Sequence, residues 1–242
     1  MDYRVSDALI DPLDASTDFY TEQTLRLSSF WCYDPLTDEP EVSPLPALAE
    51  GRITFGSLNH FRKVNDGALR VWTRVLDAVP RSRLLLSAPK GKARDHVRSI
   101  LQGGGVEPDR VDFVDRCGRS EYLRRYCDID IGLDVFPYNG HTTSLDALWM
   151  GVPLVTLAGE TVVGRAGVSQ AMRVGLPELI ATTPDEYLRI VSALAGDLER
   201  LAELRSSLRD RMRRSVFMDG AGFARELESA YRNIWRSYCA RA

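Results

Sequence analysis

Ile129-Asp130-Ile131-Gly132-Leu133, then Asp134-Val135-Phe136-Pro137-Tyr138-Asn139-Gly140-His141-Thr142-Thr143-Ser144-Leu145-Asp146, then Val152-Pro153-Leu154-Val155-Thr156-Leu157: this stretch decides the fold. Its first and last runs are short and apolar, as strands covered on both faces are. Between them Pro137 turns the chain and Gly140 frees the backbone, and residues Thr142 to Met150 read as a helix. Strand, helix and strand make a βαβ unit, which implies a parallel sheet.

The same alternation extends outward in both directions. Upstream, Arg52 to Leu58 reads as a strand, and Asn65-Asp66 caps a helix with Leu69, Trp72, Val75 and Leu76 on one face, stopped before Pro80. Arg83 to Ser87 and Arg110 to Val114 read as strands. Helices fill Ala93 to Leu101 and Ser120 to Tyr126. Downstream come a helix from Val162 to Val174, a short strand Leu179 to Ala181, and helices from Pro184, Leu198 and Ala221. The expected fold is α/β, a doubly wound parallel sheet over residues 51–242 with a helical C-terminal tail. Residues 1–50 break the rhythm: Pro12, Pro35, Pro40, Pro44 and Pro46 fall there, and apolar periodicity is weak. They read as an extended linker. Its aromatics, Phe19-Tyr20 and Phe30-Trp31-Cys32-Tyr33, are costly to expose, so the linker is expected to dock.

Composition narrows the function classes. The 242 residues are 44% hydrophobic and 27% charged, as in an ordinary folded domain. The net charge of −3 supplies no cationic field for nucleic acid or a membrane surface. No run approaches the ~20 apolar residues of a membrane span, and no secretory leader opens the chain. Cys32, Cys117, Cys127 and Cys239 form no CxxC, which with three histidines argues against a zinc site. A cytoplasmic location with reduced thiols is the expectation. GxGxxG, P-loop and GxSxG motifs are absent, so dehydrogenase, NTPase and hydrolase readings lose support.

Ligands of open α/β sheets bind beyond the carboxyl ends of strands, where helices begin. Two such junctions stand out. Gly140-His141-Thr142-Thr143 places free backbone N–H groups, a positive dipole end and two hydroxyls at one point, a suitable phosphate site. Asp146, about one turn further on, is placed to accept hydrogen bonds from ribose hydroxyls. A plain N-cap followed by a helix acid explains the same residues equally well. Leu58-Asn59-His60-Phe61-Arg62-Lys63-Val64-Asn65 follows the first lobe strand, and Lys63 there can reach a diphosphate or simply stay solvated. His96 reads as a solvated helix residue. Asp128-Ile129-Asp130 has metal-motif spacing but leads into a buried strand and reads as structural.

As a set, these residues resemble the protein O-GlcNAc transferases and the related SPINDLY proteins. The resemblance rests on Asn139-Gly140-His141-Thr142-Thr143, Asp146, Leu148-Trp149, Gly151-Val152-Pro153 and Val155-Thr156. It also rests on Ile53-Thr54-Phe55-Gly56-Ser57-Leu58-Asn59 with Lys63-Val64-Asn65, on Gly159-Glu160-Thr161, and on the tail Leu227 to Trp235. It covers essentially the whole chain and implies the Rossmann-like carboxyl lobe of a GT-B glycosyltransferase, with residues 1–50 similar to the end of the amino lobe. The implied donor is a nucleotide sugar, UDP-GlcNAc, used without a metal cofactor for O-linked transfer to Ser or Thr of protein acceptors. GDP-fucose is the alternative donor, and a non-catalytic module needing a partner lobe or a helical-repeat region is the alternative class. The resemblance implies that Lys63 neutralises the leaving diphosphate. His141, Thr142 and Thr143 would bind phosphate oxygens, and Asp146 the ribose. Asn59 and His60 would lie near the phosphates and sugar, with His60 standing where many members have Gln. Arg119, Tyr122 and Arg125 would contact the base, with Tyr122 standing where many have His.

Overall fold

The βαβ unit of residues 129–157 forms in the computed structural model of the protein, which describes residues 1–14, 20–36 and 40–240. In chain order the elements are β1 (Tyr3–Asp7), β2 (Gln23–Leu27), α1 (Pro46–Glu50), β3 (Thr54–Ser57), α2 (Asp66–Ala78), β4 (Arg83–Ser87), α3 (Lys92–Gly103), β5 (Val111–Val114) and α4 (Arg119–Arg125). Then come β6 (Ile131–Leu133), α5 (Thr142–Trp149), β7 (Leu154–Leu157), α6 (Ala166–Arg173), β8 (Ile180–Ala181), α7 (Pro184–Ala195), α8 (Leu198–Arg213) and α9 (Gly220–Cys239). Among the described residues, six strands form one parallel sheet in the order β5-β4-β3-β6-β7-β8. The order reverses beside β3, where β6 joins its other edge. This is the switch point at which doubly wound sheets open a crevice.

The local rules read from the sequence hold in detail. Asn65 caps α2, its Oδ1 accepting from Ala68 N at 3.1 Å, and Leu69, Trp72, Val75 and Leu76 are buried. Phe55, Leu84, Leu86, Ile131, Leu133 and Val155 are buried in the sheet, which is covered on both faces. Gly56 and Gly132 sit where neighbouring Ile129 and Leu154 side chains leave no room for a Cβ. Asp130 is structural, as expected: its carboxylate accepts from Ala47 N and Thr54 N, both at 2.8 Å. No helix of the described residues is long and apolar enough to cross a membrane.

Residues 1–50 carry more structure than an extended linker. β1 and β2 pair in parallel, Tyr3 opposite Gln23 through Asp7 opposite Leu27, and α1 begins at Pro46. Tyr3-Arg4-Val5-Ser6 and Leu25-Arg26-Leu27 alternate only briefly, and the pairing that makes them strands is long-range. The docking expectation holds for Trp31 and Tyr33, which pack on His141 and Trp149; Phe30 is only partly covered, and Phe19 lies outside the described residues. Two buried arginines of α8 fasten the segment. Arg205 donates to the carbonyls of Ser43 (3.0 Å), Tyr126 (3.0 Å) and Ile129 (2.6 Å), and Arg209 to those of Pro40 (2.8 Å) and Trp149 (2.9 Å).

Candidate nucleotide-binding site

A cavity of about 870 Å³ opens at the carboxyl ends of β3, β4 and β5 and against the start of α5. Its walls come from Leu58 to Arg62 after β3, Ser87 to Lys90 at the end of β4, Val114 to Cys117 at the end of β5, α4, and the first turns of α5. Of the residues singled out by sequence, Asn59, His60, Arg119, Tyr122, Arg125, Thr142, Thr143 and Asp146 line it; Lys63 and His141 do not. Its lining cations are Arg62, Lys90, Arg116, Arg119 and Arg125, against the acids Asp115 and Asp146. A cation-rich cleft in a chain of net charge −3 favours an anionic ligand.

The loop between β6 and α5 is built from its backbone outward. Asp134, fully buried, accepts from Gly140 N at 2.7 Å, Val135 N at 2.9 Å and Thr156 Oγ1 at 2.8 Å. Burial pushes its carboxyl up to about 7, and those hydrogen bonds and Lys63 oppose the shift. Gly140 has no space for a Cβ, which would strike Ser144 Oγ and Asn59 Oδ1, so the turn can press against the loop after β3. Asn59 is buried and its Oδ1 accepts from Thr143 Oγ1 at 2.6 Å. Thr142 stays exposed at the first turn of α5.

Lys63 arrives at the same loop from the other side. Its Nζ donates to Asn139 O at 2.7 Å and sits 3.9 Å from the centre of the Tyr138 ring. Burial lowers its pKa, countered by the charge of Asp134. His141 lies between Trp31 and Tyr138, with ring centres 5.0 and 5.2 Å away. Burial, and then the charge of Lys63, push its pKa down to about 4, so the imidazole is neutral at neutral pH. The two junctions read from sequence are therefore neighbours in space. Lys63 and His141 themselves lie outside the cavity's wall, which Thr142 and Thr143 of the same turn of α5 help to form.

Asp146 departs from the simple reading of a free ribose acceptor. It is 1% exposed, and both oxygens are already engaged. Arg119 grips it bidentately at 2.6 and 2.7 Å, Tyr33 OH donates at 2.8 Å and Tyr122 OH at 3.0 Å. Tyr122 also meets Tyr126 OH at 2.7 Å, and Tyr126 donates to Thr143 O at 2.9 Å. The hydroxyl of Tyr122 and the guanidinium of Arg119 thus face the carboxylate. Arg125 pairs with Glu121 at 2.6 Å on the cavity rim. His60 is exposed, its Nδ1 accepting from Arg62 N at 3.3 Å. His96 is half exposed and within 2.8 Å of Asp66.

Sequence reasoning missed Asp134, Lys90, Arg116 and Tyr33. Lys90 and Arg116 had a signal: each directly follows a strand, as Asn59 does. Asp134 had the weaker one of an acid ending an apolar run. Tyr33, 113 residues from its partner Asp146, had none.

Comparison with known proteins bears on this geometry. The sequence model of glycosyl transferase family 41 matches residues 45–227. A probable UDP-N-acetylglucosamine–peptide N-acetylglucosaminyltransferase SPINDLY of Petunia hybrida is 43% identical over 99% of this chain, and that of Oryza sativa subsp. japonica 44% over 99%. This chain spans 26% of each of those relatives' length. An O-GlcNAc transferase mutant of Thermobaculum terrenum superposes with a TM-score of 0.90 and 39% identity, over 100% of this chain and 46% of that one. A sucrose-phosphate synthase from Thermosynechococcus elongatus, 15% identical with a TM-score of 0.59, shares the fold alone. With its match running unbroken from α1 into α9 and across every wall of the cavity, the chain belongs to glycosyl transferase family 41.

Proposed function

We propose that this chain forms the donor-binding half of a protein O-glycosyltransferase, taking UDP-GlcNAc as the sugar donor for Ser or Thr hydroxyls of proteins. The observation that carries the reading is the cation-lined cavity that runs from the ends of β3, β4 and β5 to the N-terminus of α5. Names borne by the Petunia and Thermobaculum relatives support the donor and the acceptor class.

The chemistry follows from where charge develops. As the glycosidic bond to the nucleotide breaks, negative charge gathers on the departing β-phosphate. Donors that are already oriented stabilise that charge without reorganising. The first-turn N–H groups of α5, the hydroxyls of Thr142 and Thr143, the neutral His141 and the Lys63 ammonium are such donors. In this reading no metal ion is called for. Asn59 holds Thr143 in place, and Arg119, Tyr122 and Arg125 line the part of the cavity that would receive the nucleoside.

Titration calorimetry with UDP, UDP-GlcNAc, GDP and GDP-fucose tests it. UDP and its sugar should bind, and more tightly than the guanine nucleotides. Lys63→Ala should weaken UDP at least tenfold, because a hydrogen bond to a charged group is worth ~1.5–3 kcal/mol. Tighter binding of GDP-fucose would reassign the donor. No binding of either diphosphate at millimolar concentration, or full affinity in Lys63→Ala, would sink the assignment.

A further inference from the structure

Tyr33 reaches the site from a segment outside the six-stranded sheet, and that segment is pinned without the site's help. Phe30 N donates to Asp7 Oδ2 at 3.0 Å, Tyr33 N to Phe217 O at 2.8 Å, and the Ser29 hydroxyl accepts from Trp31 N at 2.9 Å. Tyr33 itself is buried against Trp149, with ring centres 5.9 Å apart. Its hydroxyl therefore arrives at Asp146 Oδ1 from a fixed direction, at 2.8 Å.

We propose that Tyr33 is a positioning residue for the donor: it holds the Asp146 carboxylate while Arg119 gives way to the ribose. This rests on the nucleotide-site reading above. A carboxylate offers about four acceptor positions, and here Tyr33, Tyr122 and both Arg119 nitrogens fill them. A ribose hydroxyl reaches Asp146 only if one donor leaves. Tyr33 is locked in the core, 6% exposed, and cannot leave without opening it. Arg119 comes from the cavity side, and its side chain is 29% exposed. Its guanidinium has the open cavity beside it, where it can swing and stay hydrated or meet the nucleotide. During that exchange the carboxylate stays buried and charged, and a buried anion stripped of its donors is expensive. Tyr33 on Oδ1 and Tyr122 on Oδ2 stay in place throughout, and Tyr33, fixed by the core, sets the angle at which the carboxylate meets the ribose.

The experiment compares the whole chain with Tyr33→Phe, which deletes one oxygen and keeps the contact with Trp149. Each is titrated with UDP, 2′-deoxy-UDP and 3′-deoxy-UDP, or with the guanine series if the parent prefers GDP. The parent should discriminate against at least one deoxy form by about tenfold, the worth of a hydrogen bond to a charged group. Tyr33→Phe should lose most of that ratio, to about twofold. General loosening of the fold would weaken all three ligands together and leave the ratio standing. An unchanged ratio in Tyr33→Phe, with or without a lower melting temperature, overturns the proposal, as does a parent that ignores both deletions. A parent that binds none of the nucleotides overturns the site reading and this inference with it. UDP binding with an unchanged ratio overturns this inference alone.

Discussion

His141 and Asp134 stand seven residues apart at the two ends of the loop between β6 and α5, and burial shifts one down and the other up. His141 falls to about 4 and Asp134 rises to about 7. The signs of their pH effects are opposite. Between about pH 4 and 6.5 the unfolded chain protonates His141 and the folded chain does not, so this group lowers stability as pH falls. Between about pH 3.9 and 7 the folded chain protonates Asp134 and the unfolded chain does not, so this group raises stability as pH falls. In the parent the two contributions oppose each other over most of the same window. His141→Gln should therefore become relatively more stable than the parent on acidification from pH 7 to 4, and Asp134→Asn relatively less. Urea denaturation midpoints across that range check this; parallel profiles for all three proteins would show that burial does not set these protonation states.

At the scale of elements, α8 decides whether the N-terminal segment belongs to the lobe. Arg205 is 2% exposed and donates to the carbonyls of Ser43, Tyr126 and Ile129, of which that of Tyr126 also accepts from Ile129 N at 3.3 Å. Burying a polar group without a partner costs ~1–3 kcal/mol each. Arg205→Ala should thus destabilise by about 2 kcal/mol or more, through the carbonyls of Ser43 and Ile129 that it leaves without their donor. Limited proteolysis should then cut first in residues 40–45, which Arg205 and Arg209 hold. A loss under about 1 kcal/mol, the range of an ordinary surface change, with residues 40–45 still protected would mean that the tether is dispensable. α9 stands apart: Tyr231, Trp235 and Tyr238 project from it more than half exposed, while Ser28 joins it through Glu226 at 2.9 Å.

At the scale of the molecule, the chain spans 46% of the solved Thermobaculum relative and about a quarter of the plant ones. Transfer requires donor carbon and acceptor oxygen held in near-attack contact, and positioning can supply ~7–11 kcal/mol of a barrier. The cavity of about 870 Å³, lined by five cations and two acids, is sized and charged for a nucleotide. With labelled UDP-GlcNAc and a mixed protein acceptor, this chain by itself should bind donor, hydrolyse it slowly, and label protein weakly. Strong labelling by the chain alone would place the acceptor site within these residues.

The alternation of apolar runs with capped helices was enough to determine the parallel α/β sheet, because each strand and helix carries its own period and its own start signal. The cap at Asn65 and the helix start at Thr142 were legible for the same reason: both depend on near neighbours in the chain. That the loop bearing Lys63 and the start of α5 are neighbours follows from topology too, since the carboxyl ends of parallel strands lie on one edge of the sheet. Tertiary structure alone decided the rest. β1 and β2 become strands by pairing across some 20 residues, and their own alternation is too short to announce it. Asp146 was legible as an acceptor, but not as one already saturated, because Arg119 lies 27 residues away and Tyr33 113. Local sequence specifies backbone conformation through sterics and capping. Which side chains fill a carboxylate's lone pairs depends on how distant segments pack, and that is set by the whole fold.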